Sequence, residues 1–353
     1  MASSSRWARA VIVLVAIAAL GAAVALAAGA TATGAGKATG AGKATGAGTG
    51  AGAATGTASA LNVIAEPAAG TAPFLTLIGG ARTSIELTMY ELSDPQVEQV
   101  LAAAAHRGVN VRVLLNGGYY SKHEATNAAA YGYLSRRGVH VRYTPTYFAL
   151  THQKTLTVDG RESAVMTLNF DGLYASTRDY AVLDSQRADV AAIVAAFNDD
   201  YASRRVTASS GTGDLVWSPR AAATVLGLIG GAQHSLDLEN EEMAYSPARD
   251  ALCAAARRGV AVRVVMTYAS EWRSAFGQLK GCGVSIRLYH GQRYYIHAKL
   301  LVIDGRRALV SSQNLSTGSL QYNRELGITL RARMLVGRLV ADFDADYDGA
   351  GGT

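Results

Sequence analysis

Cysteine is scarce in this chain. Only Cys253 and Cys282 occur among 353 residues, and they lack the spacing of a metal site. No cysteine lies near the small residues that follow the apolar N-terminal stretch, so the sequence does not indicate a lipoprotein anchor. Spacing alone does not show whether the two thiols lie close together, and both a disulfide and two separate thiols stay open.

The chain also lacks the common motifs that bind metals and cofactors. It contains no H-E-x-x-H zinc motif, no Walker phosphate loop and no dinucleotide fingerprint. The sequence therefore predicts neither a metal nor a cofactor. The formal net charge is +6, a mild excess that favours anionic substrates or surfaces but does not choose between lipid and nucleic acid.

One short pattern occurs twice in the chain. It reads H-x-K-x-x-x-x-D and runs from His152 to Asp159 and again from His297 to Asp304. An asparagine stands 17 positions after each histidine, and an arginine next to an acid follows. These residues are Asn169 with Arg178-Asp179 in the first copy and Asn314 with Arg324-Glu325 in the second. Two copies with equivalent downstream residues indicate one active site built from two related halves.

The residue types of the pattern suit phosphodiester chemistry. On a strand, residues two positions apart point to the same face, which would place His152 beside Lys154. The second copy would place His297 beside Lys299 in the same way. A neutral imidazole can attack phosphorus, a protonated imidazole can donate to the leaving oxygen, and lysines offset the charge on the non-bridging oxygens.

Two further pairs of polar residues have supporting roles in this interpretation. Asn169 and Asn314 are candidates for contacts to the phosphate, because each follows the histidine of its own motif by the same number of positions in the sequence. Asp159 and Asp304 each precede a glycine, which is typical of a turn whose acidic side chain caps backbone amides.

The duplication extends upstream of the pattern and predicts an α/β fold. Residues 104–113 match residues 255–264. In each half a helix that starts near a proline, Pro95 or Pro247, leads into a strand with alternating apolar residues. Strands that alternate with helices favour a sheet covered by helices. A helix over residues 186–201 would close the first half.

The composition divides the chain into four parts. Residues 1–30 contain an early pair of arginines and an apolar, alanine-rich stretch, which predicts an export signal or, alternatively, a membrane anchor over residues 10–30. Residues 31–60 are rich in Ala, Gly and Thr and are expected to form a flexible linker. The two halves are expected to span residues 61–203 and 214–347, joined by a short polar linker.

The paired motifs resemble those of the phospholipase D superfamily, whose members share H-x-K-x-x-x-x-D, then G-S-x-N, then an acidic residue. The resemblance covers about residues 60–345 and implies two pseudo-symmetric α/β/α halves packed around one active site. It implies a metal-independent mechanism through a covalent phosphohistidine, with His152 as nucleophile and His297 as general acid. It also implies that Asp179 and Glu325 hydrogen-bond to the histidines and orient them.

This sequence departs from the superfamily pattern in each half. The G-S-x-N stretch reads Met166-Thr167-Leu168-Asn169 in the first half and Ser311-Ser312-Gln313-Asn314 in the second. The glycine is absent from both, whereas a hydroxyl and the asparagine remain. These changes bear on substrate fit more than on the type of reaction.

The resemblance implies an exported hydrolase that cuts phospholipids on the headgroup side of the phosphate. A metal-independent nuclease, a phosphatidyltransferase similar to cardiolipin synthases and a non-enzymatic anion-binding module are the alternatives. The expected partners are a phospholipid or another phosphodiester and a membrane surface, with nucleic acid as the alternative. Because one chain carries both motifs, a monomer is expected, secreted or held at the cell envelope.

Aromatic residues near the motifs are candidates to line a groove for acyl chains or stacked bases, or else to fill the core. They are Tyr119, Tyr120, Tyr143, Tyr147, Phe148, Tyr268, Trp272, Tyr289, Tyr294 and Tyr295.

Overall fold

A computed structural model describes residues 60–118, 125–291 and 295–352 of this chain. The expected export segment and all of the expected linker except Ala60 lie outside these ranges. Three of the aromatic candidates also lie outside them, namely Tyr119, Tyr120 and Tyr294. Within the described ranges, no helix combines the length and the apolar character that a membrane crossing needs.

The first half alternates strands and helices up to its motif. Its elements are β1 (Leu61–Glu66), α1 (Ala72–Gly79), β2 (Ser84–Met89), α2 (Pro95–His106), β3 (Asn110–Leu115), α3 (Ala125–Ser135), β4 (His140–Tyr143), β5 (Thr155–Val158), β6 (Glu162–Met166), β7 (Thr177–Asp184) and α4 (Arg187–Tyr201). The strand β1, which no sequence pattern singles out, pairs antiparallel with β7.

The second half repeats this order and adds two short strands and a short helix. Its elements are β8 (Leu215–Ser218), α5 (Ala221–Gly230), β9 (Ser235–Glu239), α6 (Ser246–Arg257), β10 (Ala261–Thr267), α7 (Arg273–Gly281), β11 (Ser285–Tyr289), β12 (Tyr295–Ile296), β13 (Leu300–Ile303), β14 (Arg307–Ser311), α8 (Thr317–Gln321), β15 (Glu325–Leu330), α9 (Arg333–Gly349) and β16 (Gly351–Gly352). Both halves belong to one compact unit.

Local sequence explains where the repeated helices begin and end. The side chain of Asp94 caps α2 by accepting from the backbone N–H of Gln96 at 2.7 Å, and Pro95 follows in the first turn. Beyond the other end of the repeated helix, Gly108 and Gly259 have φ angles of 90° and 91°. Glycine adopts this left-handed conformation without the steric cost that a Cβ atom brings, and the chain turns there into the next strand.

Each half contains a mixed sheet, and this arrangement confirms the predicted fold class. The first sheet has the strand order β1-β7-β6-β5-β2-β3-β4, and the second has the order β16-β11-β10-β9-β13-β14-β15-β8. The strands β2, β3 and β4 are parallel, whereas β5, β6 and β7 are antiparallel. At the start of β5, Thr155 pairs with Thr88 near the carboxyl end of β2. The first motif therefore reaches the edge where parallel strands of α/β proteins commonly place ligand sites.

Buried apolar residues form three clusters, and the third joins the halves. In each half one cluster lies where the sheet meets its helices, with Leu87 in the first half and Leu238 in the second. The third cluster contains Val165 and Val182 from the first sheet together with Val302 from the second. The inner faces of the sheets are thus packed together, which fixes the two motifs relative to one another.

The two cysteines form a disulfide. It joins Cys253 in α6 to Cys282, which follows α7, and their Cα atoms are 5.4 Å apart. The packing of α6 beside α7 brings together two residues that are 29 positions apart. This resolves the question that their spacing leaves open.

Candidate active site

The motif histidines and lysines lie just before the strands β5 and β13, not within them as predicted. The backbone N–H groups of His152 and Gln153 donate to the carbonyl oxygen of Arg324 at 2.9 and 3.0 Å. The N–H of His297 donates to the carbonyl oxygen of Arg178 at 3.2 Å. The sheet ladder starts late because these amides bond across to the other half of the molecule. Each motif is therefore positioned by the half that does not contain it.

The acid that orients each histidine also comes from the opposite half. Nδ1 of His152 lies 3.1 Å from Oε2 of Glu325. Nδ1 of His297 lies 2.8 Å from Oδ1 of Asp179. The two carboxylates are buried, and the side chains of His152 and His297 are 11% and 13% exposed. The expected histidine–acid contacts thus run crosswise between the halves.

The surroundings of His152 determine its tautomer. Its Nδ1 also lies 3.1 Å from the carbonyl oxygen of Ser312. A carbonyl and a carboxylate can only accept hydrogen bonds, so Nδ1 must carry the proton. In the neutral ring this leaves the lone pair on Nε2, which is the form that can attack phosphorus.

Hydroxyl and amide groups hold the two acids. Thr167, from the altered G-S-x-N stretch, donates to Asp179 at 2.5 Å. Glu325 accepts from the hydroxyl of Ser319 and, at 3.1 Å, from the side-chain amide of Asn323. Each carboxylate therefore has a second support besides its histidine, which restricts the orientation of the imidazole.

The arginines beside these acids form buried ion pairs that also cross between the halves. Arg178 reaches Asp346 on α9 with an Nη2–Oδ1 distance of 2.8 Å. Arg324 reaches Asp200 on α4 with an Nε–Oδ2 distance of 2.7 Å. Removing one partner of such a buried pair leaves an uncompensated charge. We interpret these arginines as structural ties rather than as phosphate ligands.

The two lysines are almost completely buried. Lys154 is 1% exposed and Lys299 is 2% exposed. Their ammonium groups turn back to the carbonyl oxygens of His152 and His297, at 3.0 and 2.5 Å. Each ammonium group keeps further hydrogens for an anion, and a buried lysine strongly favours an anionic partner.

The asparagines contact glutamates that the sequence patterns do not single out. The side-chain amide of Asn169 donates to Glu91 at 3.3 Å. The side-chain amide of Asn314 donates to both Glu241 and Glu242 at 3.1 Å. The asparagines lie beside the motifs as expected, but their amide groups bond to carboxylates rather than pointing at an open phosphate site.

Comparison with known families agrees with this arrangement. A family model described as "Cardiolipin synthase, PLD-like domain" matches residues 74–201 and 225–347. The chain belongs to this family. It is therefore a member of the phospholipase D superfamily, and each of its halves carries one copy of the PLD-like domain.

Curated relatives of this PLD-like chain resemble only part of it. A cardiolipin synthase of Oceanobacillus iheyensis is 34% identical over 107 residues, which are 28% of this chain and 22% of that protein. A probable cardiolipin synthase of Bacillus subtilis is 35% identical over 107 residues, which are 28% and 21% of the two chains. The matched part of this chain thus spans about a fifth of the length of these relatives.

A solved structure shows the PLD fold over most of the chain. The phosphatidylserine synthase of Haemophilus influenzae is similar with a TM-score of 0.58 and 14% identity. The similarity covers 81% of this chain and 85% of that one. At this identity the likeness concerns the fold alone.

The internal repeat of the PLD-like chain could have revealed the additional glutamates. Upstream of the motifs the halves are offset by 151 positions, which places Glu91 opposite Glu242 and Tyr90 opposite Glu241. The first pair is an acid in both halves and holds the motif asparagine in both. The second pair differs, and it is the main chemical difference between the two sides of the site.

The motif aspartates lie away from the histidines. The carboxylate of Asp159 accepts from three successive backbone N–H groups, of Arg82, Thr83 and Ser84, at 2.7 to 3.1 Å. Asp304 does the same with residues 233–235. Although slight burial acts to raise the pKa of Asp159, these hydrogen bonds lower it to about 2. Both aspartates tie the turn after the motif strand to the strand beside it.

Some aromatic candidates in the described ranges pack against the core, others line a groove, and Tyr295 is 42% exposed. Tyr143 stacks on Tyr131, with ring centroids 4.8 Å apart, and Tyr289 is 3% exposed. Tyr147 and Phe148 instead line a groove of about 590 Å³ between the halves. The other residues that line this groove include Trp217, Tyr322, Arg205, Arg220 and Arg324. The groove has no acidic lining residue among those described, so it favours an anionic ligand with an apolar part.

The pKa values of the buried groups lead to an expected pH profile. Burial and the charge of Lys154 lower the pKa of His152 to about 4. Burial and the charge of Lys299 lower the pKa of Lys154 to about 7. His152 must be neutral to attack, and Lys154 must be charged to attract a phosphate. The ratio kcat/KM for a soluble p-nitrophenyl diester, whose leaving group needs no proton from His297, should therefore fall near pH 4 on the acid side and above about pH 7 on the alkaline side.

A conservative variant serves as the control for this profile. The arginine in Lys154→Arg keeps its charge throughout the pH range. The kcat/KM of this variant for the same diester should therefore show no decline just above pH 7, even if its maximal value is lower than that of the wild type. An acid limb close to the ordinary histidine pKa of about 6.5 would contradict the buried, neutral state of His152.

Proposed function

We propose that this protein is a phosphatidyltransferase of cardiolipin synthase type. It moves the phosphatidyl group of one phospholipid to a hydroxyl group of a second lipid through a phosphohistidine on His152. The observation that carries the proposal is the crosswise pair of histidines, each oriented by an acid of the opposite half and each beside a buried lysine.

The chemistry proceeds in two balanced displacements. In the first, Nε2 of His152 attacks phosphorus, the bond from phosphorus to the headgroup oxygen breaks, and this oxygen takes a proton from His297. In the second, the acceptor hydroxyl returns a proton to His297 while its oxygen attacks phosphorus, and the bond to His152 breaks. Lys154 and Lys299 offset the charge that builds on the non-bridging oxygens in both steps.

Two observations support transfer over the hydrolysis that the sequence analysis favours. The curated relatives that match this chain bear the name cardiolipin synthase, which describes transfer to a lipid alcohol. The histidines are also mostly buried, at 11% and 13% side-chain exposure. A site with little access for water favours an acceptor that binds and fills it.

The proposed transferase acts at a membrane surface. A transferase acting on lipids must meet a membrane surface. The groove between the halves, lined by Arg205, Arg220 and aromatic rings, suits a lipid phosphate with its apolar chains. Export through residues 1–30, a monomeric state and the half boundaries at residues 61–203 and 214–347 remain expectations of this proposal.

Product analysis on vesicles distinguishes the candidate functions. The full-length protein is incubated with vesicles of phosphatidylglycerol, and the products are separated by chromatography and mass spectrometry. Transfer produces cardiolipin and glycerol in equal amounts. Phosphatidic acid and glycerol without cardiolipin would show hydrolysis instead. Intact lipids together with cleavage of single-stranded DNA would identify a nuclease.

The control for this assay is the variant His152→Ala. It should form no product on any of these substrates above the level of vesicles without enzyme. Anion binding by the wild-type protein without turnover of any substrate would indicate a binding module and contradict the proposal.

A further inference from the structure

The two sides of the active site differ at one position of the internal repeat. The second half carries Glu241 where the first half carries Tyr90. Both residues follow the second strand of their half and lie beside the motif lysine. The histidines, lysines and asparagines of the motifs are identical in the two halves, and the orienting residue is an acid in both. The exchange of Tyr90 for Glu241 changes the charge, so this difference is the place to look for unequal roles of the two histidines.

Glu241 faces the second motif. Its Oε2 lies 3.0 Å from Nζ of Lys299 and 3.6 Å from Nε2 of His297. The same oxygen accepts from the amide of Asn314 at 3.1 Å, and Oε1 accepts from the hydroxyl of Tyr295 at 3.2 Å. Burial alone would raise the pKa of Glu241, but the charges of Lys299 and the histidines outweigh burial and hold it well below its ordinary value.

The first motif has a tyrosine at the position of this glutamate. The ring of Tyr90 contacts His152 edge to face, with centroids 4.6 Å apart, and lies 5.1 Å from Nζ of Lys154. The carboxylate that contacts His152 is that of Glu325, and it lies at Nδ1 rather than at Nε2. Lys154 is influenced by the charges of Glu325, Glu241 and Glu91. A tyrosine ring carries no charge at neutral pH, so it stabilises a protonated imidazole far less than a carboxylate does.

We propose that Glu241 is a positioning residue that divides the work between the two histidines. It lies beside Nε2 of His297, the nitrogen that Asp179 leaves open, and holds a proton there for the leaving oxygen. His152, which has Tyr90 in this place, keeps an unprotonated Nε2 and attacks. This inference rests on the proposed phosphohistidine mechanism and deepens it, because the sequence motifs alone make the two histidines equivalent.

The leaving group separates this role from a merely structural one. An alcohol leaves only if it receives a proton, whereas p-nitrophenolate leaves readily without one. Loss of Glu241 should therefore slow the release of an alcohol far more than the release of p-nitrophenolate. A general loss of structure or of substrate binding would slow both reactions equally.

The first experiment compares Glu241→Gln with the wild-type enzyme on two soluble diesters, one with an alkyl and one with a p-nitrophenyl leaving group. We expect kcat/KM to fall by about tenfold to hundredfold on the alkyl diester and by less than about threefold on the p-nitrophenyl diester. The matched control is Glu242→Gln, which also loses a carboxylate bonded to Asn314 but one without an ion-pair contact to His297. In Glu242→Gln, kcat/KM on the alkyl diester and kcat/KM on the p-nitrophenyl diester should change by the same factor.

The second experiment exchanges the two residues. In the double variant Tyr90→Glu, Glu241→Tyr, the carboxylate stands beside the first motif, and the phosphoryl group trapped by acid quench during turnover should move from His152 to His297. Its position is read by mass spectrometry of the digested protein. If the double variant does not fold, the single variant Glu241→Gln still tests the inference. In this variant the trapped phosphoryl group should be found on both His152 and His297.

Three outcomes would overturn the inference. These are an equal effect of Glu241→Gln on both leaving groups, faster turnover in this variant, and a label that stays entirely on His152 in every variant. Faster turnover would show instead that Glu241 occupies the phosphate position and blocks it. Failure of the proposed function is a different result, because it appears as the absence of cardiolipin on phosphatidylglycerol vesicles. Failure of the covalent mechanism is distinct again, because then the wild-type enzyme carries no phosphohistidine on either diester.

Discussion

Removing the two histidines one at a time should have unequal effects that depend on the leaving group. We expect His152→Ala to lower kcat by at least about 10³-fold on every diester, because His152 forms the covalent intermediate while His297 keeps its proton beside Glu241. We expect His297→Ala to lose about as much on an alkyl diester, because the leaving oxygen then has no proton donor. On a p-nitrophenyl diester, however, His297→Ala should still release one equivalent of nitrophenol in a burst.

Stopped-flow measurement of nitrophenol release shows the burst directly. An enzyme concentration of about 10⁻⁵ M makes a burst of one equivalent visible. The burst should be absent in His152→Ala. A burst in His152→Ala and none in His297→Ala would reverse the roles of the histidines. His290→Ala serves as the control for loss of an imidazole, because His290 stacks on Tyr268 outside the motifs.

Substitution of each orienting acid should affect the histidine of the opposite half. Of the two motif histidines, Asp179 contacts that of the second motif and Glu325 contacts that of the first. We expect Glu325→Gln to lower kcat by about 10²- to 10⁴-fold on both leaving groups, because the amide can present its NH₂ group to Nδ1 and favour the wrong tautomer of His152. Asp179→Asn should lower kcat on the alkyl diester by a similar factor and spare the burst with the p-nitrophenyl diester.

Circular dichroism and thermal unfolding of each variant show whether the fold is intact. The matched control is Asp348→Asn, which removes a carboxylate that is 81% exposed and pairs only loosely with Arg287 at 3.6 Å. It should leave both activities unchanged. If Asp179→Asn abolished the burst and Glu325→Gln did not, the acids would act within their own halves and the crosswise arrangement would be wrong.

The repeat made much of the site predictable. His152, Lys154 and their partners in the second half could be located because the same residue types recur at the same spacing, and chance does not duplicate a whole constellation. The alternation of strands and helices likewise predicted the α/β class, since apolar periodicity is a local property of the chain. The superfamily resemblance added the expected roles of Asp179 and Glu325.

Contacts between distant segments could not be predicted in this way. Which acid meets which histidine depends on β12 of the second half pairing with β7 of the first, a long-range contact with no local signature. The same holds for the disulfide and for the ion pair between Arg324 and Asp200. The prediction that each histidine stands within a strand was wrong because its amide bonds across to the other half.

Glu241 was missed for a different reason. Its signal lies in a mismatch of the repeat, whereas sequence reasoning searches for matches. A position that differs between two otherwise equal halves is where a symmetric site can acquire unequal roles. The glutamate at this position carries a negative charge and the tyrosine does not, so only the glutamate stabilises a protonated imidazole by charge.

One measurement tests the central claim most directly. The wild-type enzyme is mixed with phosphatidylglycerol vesicles, quenched during turnover under conditions that preserve phosphohistidine, digested and mapped by mass spectrometry. We expect a phosphatidyl adduct on His152 that disappears as cardiolipin forms. Cardiolipin formation without an adduct on either histidine, or an adduct on His297 alone, would contradict a site in which His152 attacks and His297 donates the proton.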